Sequence, residues 1–466
     1  MTGAAPARPR STDLLITGAL IIPVDPAYPD HLEDGWMLVT GGVITALGTG
    51  PAPEVDDGVE RLDASGKIIA PGFVSSHSHL FTSGLRGLAS DEPLYAWASA
   101  SMGATRHATP EDIYWATLHG SFDFLNAGVT TAFDFTDCRE PWSEMVDGKR
   151  AIPDPSVLRP VEHILRQIDA KHDARLRFVN ATRPDSDIGT AEEILERFRP
   201  TVKYLRTLDP RFALAAAVTG GVQWATTRDA AAHEVAIMRE HGIINQAHFL
   251  ETPEALEHQL NKFDWYERAG ALGPDFIFGH FVQATDSIIE RTAQAGARMS
   301  WQATANGRLG SGVAPIRKIL AAGIDVGLGL DDQACSDLAD PWQNMRIAAY
   351  SVRAAHQDAT AMGVREVLEM QTLGAARIIG VDDRVGSLSP GKFADFLLVD
   401  PTAPDLGPLW HPVDAYVLAC GLRNLRGVYV GGVRVSDGMT CSDPLAREAS
   451  AQLRARADRL GPPPRK

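Results

Sequence analysis

The hydrophobic rhythm of the chain changes twice. From Asp13 the runs LLITGALIIPVDP, WMLVTGGVITALG and RLDASGKIIAPGF set short apolar stretches between glycines and charges, the pattern of an antiparallel β module. After His79 helical stretches such as PEDIYWATLHGSFDFLNAG alternate with the short apolar runs VTTAFDF, RLRFVNA, FALAAAVTG, GIINQAHFL, DFIFGHFV, ARMSWQA and IDVGLGLDD. Strand and helix repeated about eight times predict parallel βα units closed into a (β/α)8 TIM-like barrel rather than an open sheet. Past Gly380 the runs VGSLSPGKFADFLLVD and LRGVYVGGVRVSDG return to short strands with glycine turns. The predicted fold class is therefore α/β. It comprises a barrel over residues 69–380, a small β-sandwich built from 12–68 and 381–440, a C-terminal helix and tail over 441–466, and a disordered N-terminus over 1–11. Thr109, Pro110, Glu111 and Asp112 predict a helix start, with a capping hydroxyl, a first-turn proline and acids at the positive end of the dipole.

The first run of the barrel, IIAPGFVSSHSHLF, ends in His77, Ser78 and His79. Side chains at i and i+2 of a strand share a face, so the two imidazoles converge, and as neutral bases they can grip one cation. Reactive residues of a (β/α) barrel sit at the C-terminal ends of its strands. There the chain places His248, with Glu251 three residues on, then His280 and Asp331, each closing an apolar or glycine-rich run. In ILAAGIDVGLGLDD, alternation puts Ile324, Val326, Leu328 and Leu330 on one face and Gly327, Gly329 and Asp331 on the other. Asp331 is thus expected to face the barrel mouth, and Asp332 to cap the next helix or orient its neighbour.

Composition narrows the possibilities. The 466 residues are 44% hydrophobic and carry a formal charge of -15, which suits a folded core and argues against a nucleic-acid partner, whose phosphates need clustered Lys and Arg. Cys138, Cys335, Cys420 and Cys441 show no CxxC spacing, so reduced thiols are expected rather than disulfides or a thiolate metal site. Neither a signal peptide nor an apolar run of about 18 residues is evident, and the expected setting is the cytoplasm, away from membranes.

Several of these segments together resemble those of the amidohydrolase superfamily, in the branch of cytosine, guanine and S-adenosylhomocysteine deaminases and triazine chlorohydrolases. PGFVSSHSHLFTSGLRG resembles the first-strand motif and AHFLET the His-x-x-Glu motif. NGRLGSGVAP, which begins at Asn306, resembles the Asn-x-x-Leu-x-Ser-Gly segment, GLDDQACSD the last metal-Asp strand, and VGSLSPGKFADFLLVD the C-terminal β signature. The resemblance implies one divalent metal, zinc or iron, on His77, His79, His248 and Asp331. It further implies His280 positioning and helping to deprotonate the attacking water, and Glu251 carrying its proton to the substrate ring and the leaving group. The fourth-strand run FALAAAVTG has no lysine to bridge two metals, which favours a mononuclear site.

The implied function is hydrolysis of a C–N bond, foremost deamination of a small amino-substituted N-heterocycle. The alternatives are hydrolysis of a cyclic amide, displacement of chloride or alkylamine from a triazine-like ring, and an inactive binding protein of the same fold; the last requires lost ligands, and none is lost. Trp301 stands where relatives carry a histidine, offering either an indole to stack on a ring or a core tryptophan. Arg86 is a candidate for a substrate carboxylate or hydroxyl, or else for a salt bridge. Gln223, Trp224 and Asn306 are further candidate pocket residues, whereas His119, His233 and His241 fall on helical stretches and are expected to be solvated or structural. Members of this branch are commonly homo-oligomers.

Overall fold

The computed structural model describes residues 13–141, 145–146, 149–150, 158–402, 406–457 and 459–460. The expected disordered N-terminus and the last residues of the tail lie outside them. Strands β1 (Leu14–Ile21), β2 (Leu32–Thr40), β3 (Val43–Thr49), β4 (Glu60–Asp63) and β5 (Ile68–Pro71) come from the first β-rich segment. They join β15 (Phe396–Val399), β16 (Leu425–Val430) and β17 (Val433–Ser436) from the last, in the order β17-β16-β15-β5-β1-β2-β3 with β4 on β1. The two chain ends thus form one mixed sheet of eight strands rather than two separate sheets. It folds over on itself: Met37, Val39 and Ile44 at one end share an apolar cluster with Phe396 and Tyr429 at the other.

The chain crosses to the barrel at Gly72, whose backbone passes so close to the strand Val129–Phe135 that a Cβ there would lie 2.2 Å from Thr130 Oγ1. The barrel strands are β6 (Phe73–His79), β7 (Val129–Phe135), β8 (Arg177–Thr182), β9 (Ala213–Gly220), β10 (Ile244–Phe249), β11 (Phe276–His280), β12 (Arg298–Trp301) and a split last strand, β13 (Val326–Leu328) and β14 (Asp331–Asp332). Each pairs in parallel with its neighbour. β13 lies on β12 and β14 on β6, so the two halves of one interrupted strand close the ring.

That interruption corrects the simple alternation expected there. A Cβ on Gly327 would meet Ala375 Cα at 2.7 Å, in the outer helix Leu373–Ile378, whereas one on Gly329 would meet His77 Cβ at 2.6 Å. The two glycines therefore face opposite ways, and the pairing breaks between Leu328 and Asp331. Asp331 still reaches the centre, but by a left-handed turn of φ 63° rather than by strand parity. The side chain of Asp332, and with it the capping role expected of it, lies outside the described residues.

Four helices matter for the site. α1 (Leu94–Ala104) follows β6, and α2 (Pro110–Asn126) begins as expected, with Thr109 and Asp112 forming a reciprocal cap. α3 (Asp229–His241) leads into β10. α4 (Leu445–Ala455) returns from the C-terminus, and its Leu453 packs in one cluster with Phe81, Ile113 and Ala116. Among the described residues none of the four cysteines is in a disulfide.

Candidate active site

Parity on β6 puts His77 and His79 together, their Nε2 atoms 3.3 Å apart. His248, the next-to-last residue of β10, brings its Nε2 to 3.1 Å from that of His79. Asp331 Oδ1 lies 3.5 Å from His77 Nε2 and 3.8 Å from His79 Nε2. Atoms bound at 2.0–2.1 Å to a tetrahedral zinc lie about 3.3 Å from one another, so this spacing is that of a ligand shell.

Electrostatics agree with geometry. Burial holds His77 well below the ordinary imidazole range, and its neighbours His248, His280 and His79 add to the effect. Burial followed by His248 does the same for His79, and burial with the charge of Arg183 takes His248 down to about 3. At neutral pH these are neutral bases with lone pairs turned on one point beside a carboxylate. That donor set fits one divalent cation and offers no second, bridging ligand.

Neighbouring side chains fix the ring orientations. Gln246, two residues before His248 and so on its face of β10, gives its amide N–H to Ser76 O at 2.9 Å. Its Oε1 is thereby turned to accept from His77 Nδ1 at 2.6 Å, which leaves His77 Nε2 bare. The start of the segment after His79 is held by Asp134, which accepts from the Leu80 N–H at 2.9 Å and from the buried Lys171 ammonium at 2.5 Å. Phe135 stacks on the His79 ring, with centroids 4.9 Å apart and planes 17° apart.

His280 completes the floor. It takes a left-handed backbone, φ 66°, at the end of β11, a cost tolerated where the surroundings over-determine it. Gln302 Oε1 accepts its backbone N–H at 2.7 Å. The Asn306 amide nitrogen lies 3.0 Å from His280 Nδ1; with that amide donating, the ring proton sits on Nε2, which faces Asp331 Oδ2 at 3.9 Å. Glu251 Oε1 is 3.5 Å from His280 Nδ1.

Above this floor opens a cavity of about 920 Å³, counting its mouth, whose lining includes His79, His248, Glu251, His280 and Asp331. Trp224 also lines it, its ring 5.5 Å from that of His248. The remaining candidates lie elsewhere. Trp301 is 1% exposed and belongs to the main apolar core, because β12 turns Ser300 and Gln302 inward and the indole outward. Arg86 is not in the cavity lining; its guanidinium pairs with Asp123 of α2 and donates to Ser83 O at 3.1 Å. Gln223 is buried away from the cavity, where its carbonyl accepts from Lys262 at 2.7 Å. Asn306 touches His280 rather than the cavity. Nor do His119, His233 and His241 line it: His119 meets Ser83 Oγ at 3.1 Å, His233 meets Ser186 O at 2.9 Å, and His241 stacks on Phe198.

Sequence reasoning missed Gln246 and Gln302, although the parity of Gln246 with His248 was a readable signal. It also missed Cys138, Cys335 and the α1 side chains, all in the lining, for which spacing offered none.

A profile of the amidohydrolase family matches residues 68–435, a span that includes every residue of this cluster. The chain belongs to the amidohydrolase family. This amidohydrolase is 26% identical over 429 residues to a 5-methylthioadenosine/S-adenosylhomocysteine deaminase of Syntrophobacter fumaroxidans, covering 90% of this chain and 92% of that protein. Among solved structures it resembles an adenosine deaminase of Xanthomonas campestris with bound zinc, at a TM-score of 0.81 and 23% identity, covering 97% of this chain and 99% of that one. A triazine hydrolase of Arthobacter aurescens follows at 0.80 and 22%, covering 95% and 99%. The barrel and the added sheet are thus those of the family, and the chain is a hydrolase acting on C–N bonds.

Proposed function

We propose that this amidohydrolase removes the amine of an amino-substituted N-heterocycle as ammonia, with His77, His79, His248 and Asp331 holding one divalent cation, zinc for choice. A cation held there supplies a Lewis acid that brings the pKa of water to about 7. Glu251 takes one proton of the attacking water to the ring nitrogen and then the remaining hydroxyl proton of the tetrahedral adduct to the amine; the C–N bond breaks, ammonia leaves and the ring carbon becomes a carbonyl. His280, its proton on Nε2, donates to the oxygen that gains charge as the ring carbon becomes tetrahedral. The observation that carries the reading is Glu251 3.5 Å from His280 on the floor of a cavity whose other floor residues are the converged ligands. The relatives named as deaminases support it. The reading includes a cytoplasmic setting, which four cysteines outside any disulfide support, and a homo-oligomer, for which the branch supplies precedent.

The test is ammonia release from zinc-loaded protein across purines, pterins, pyrimidines and aminotriazines, with Glu251→Gln as control. One ring class is expected to turn over, and the variant to lose at least about 100-fold in kcat, the scale of a general acid–base group. Release of chloride or alkylamine, or turnover of lactams only, overturns deamination.

A further inference from the structure

Asp331 reaches the centre by a left-handed turn, and that turn is pinned on both sides by side chains outside the cavity lining. On the entering side, the Leu330 N–H donates to Ser75 Oγ of β6 at 3.0 Å, in the gap where the pairing of the interrupted strand has lapsed. Ser75 donates in turn to His77 O at 2.9 Å and accepts from Ser78 Oγ at 2.8 Å. A hydroxyl has one proton to give and two lone pairs. All three are used here in a fully buried setting, so the oxygen that receives Leu330 is fixed.

On the leaving side stands Gln333, also buried. Its Nε2 donates to Asp123 Oδ2 at 2.6 Å and to Gly120 O at 3.2 Å, both on α2. The same Asp123 oxygen accepts from the Arg86 guanidinium, so one carboxylate ties the segment after β14 to the segment after β6. A charged acceptor holds such a donor more firmly than a neutral one. α2 comes near enough only because Gly120 lacks a side chain: a Cβ there would lie 2.2 Å from Leu80 O and 2.5 Å from Gln333 Oε1. Arg86 and Asp123 thus belong to one frame around the two chain segments that carry His79 and Asp331.

We infer that Ser75 and Gln333 are positioning residues for Asp331. Ser75 fixes the chain entering the left-handed turn, and Gln333, held by Asp123 and Arg86, fixes the chain leaving it. Together they set the Asp331 carboxylate 3.5 Å from His77 Nε2. A non-glycine residue keeps a left-handed backbone where its surroundings over-determine it, and these two bonds supply that constraint. The inference rests on the proposed cation set of His77, His79, His248 and Asp331. Because neither Ser75 nor Gln333 lines the cavity, the effect of each on the site runs through Asp331 and not through contact with a substrate.

The experiment titrates the metal-free full chain with cobalt(II) and reads both the affinity and the visible absorption of the bound ion, which changes when a ligand is lost or displaced. Gln333→Leu and Ser75→Ala are each expected to weaken binding by about 10-fold or more and to alter the absorption, the scale of an outer-shell partner. The deciding arm repeats both substitutions in Asp331→Ala, where the carboxylate is gone and three imidazoles remain. There they are expected to cost no further affinity, since nothing is left for them to act through. The same loss in both backgrounds would give the residue a general structural role and overturn the inference, as would wild-type affinity and absorption in folded Q333L and S75A. Should Gln333→Leu fail to fold, Asp123→Asn takes its place in the cycle; it keeps the shape, removes the charge that Gln333 leans on, and is expected to weaken binding severalfold in the wild type and not in Asp331→Ala. A wild type that binds no cobalt(II) removes the proposed cation set and this inference with it. A wild type that binds it no better than the variants removes the inference alone.

Discussion

At the scale of single residues, Gln246 shows how one amide can govern a proposed metal ligand it does not replace. Its nitrogen is committed to Ser76 O, so its oxygen can only accept, and His77 must carry its proton on Nδ1. Gln246→Leu keeps the volume and removes both bonds, freeing the His77 ring to turn and to change tautomer. The expected result is a zinc affinity lower by about 10–100-fold, the usual cost of an outer-shell partner, with an unchanged far-UV spectrum. Competition with a chromogenic chelator measures it, and an unaltered zinc affinity would show that packing alone orients the ring. The same scale marks where the sequence was readable. Period two settles His77 and His79 even though β6 slips register against β7 between Ser75 and Ser78, but it misplaces Gly327 relative to Gly329, since pairing breaks before Asp331. Trp301 and Arg86 each stood between two readings for another reason: a residue type says what a side chain can do, and the turn of β12 and the carboxylate of Asp123 decide for the core and the salt bridge.

At the scale of elements, the cavity depends on junctions that alternation of strand and helix does not describe. Glu234 on α3 is fully buried and ties three elements: it accepts from Gly221 N–H at 2.8 Å in the turn carrying Trp224, from Asn245 Nδ2 at 3.0 Å on β10, and from Tyr266 Oη at 3.1 Å. Burial outweighs these donors and raises its carboxyl from 4.5 to about 7. The folded state thus holds the proton more tightly than the unfolded chain. The associated stability is fully present below pH 4.5 and is lost as pH rises through about 7, amounting to roughly 3 kcal/mol. Glu234→Gln removes this term. Urea denaturation from pH 4.5 to 8 should therefore show wild-type stability falling by roughly that amount relative to E234Q. A constant difference across the range would mean that the carboxyl is ionised throughout. Nothing in the sequence around Glu234 signals this role, because its partners lie 11, 13 and 32 residues away and meet only when the turn is closed.

At the scale of the whole molecule, the fold was legible because it rests on repetition: a change of rhythm at His79, another past Gly380, and strand ends rich in ligand-forming residues between them. What repetition cannot convey is closure. The proposed ligands come from β6, β10 and β14, and β14 is the two-residue piece that pairs with β6 to seal the ring. Binding a cation to Asp331, His77 and His79 together therefore couples the first and last strands of the barrel, and His248 adds the fifth. A ligand that binds only the folded state at 1,000 times its Kd stabilises by about 4 kcal/mol. In a barrel of this size that corresponds to a Tm higher by roughly 5–10 °C. Chelation should lower the Tm by that interval, and zinc should restore it in proportion to the logarithm of its free concentration. In His248→Ala, with one ligand gone, the zinc-dependent rise should shrink severalfold while the metal-free Tm stays near that of the stripped wild type, because His248 has no partner at Nδ1 among the described residues and already sits as a neutral ring. A Tm indifferent to chelation and to added zinc would detach the four converged side chains from any metal, and with them the reason the strained turn at Asp331 is kept.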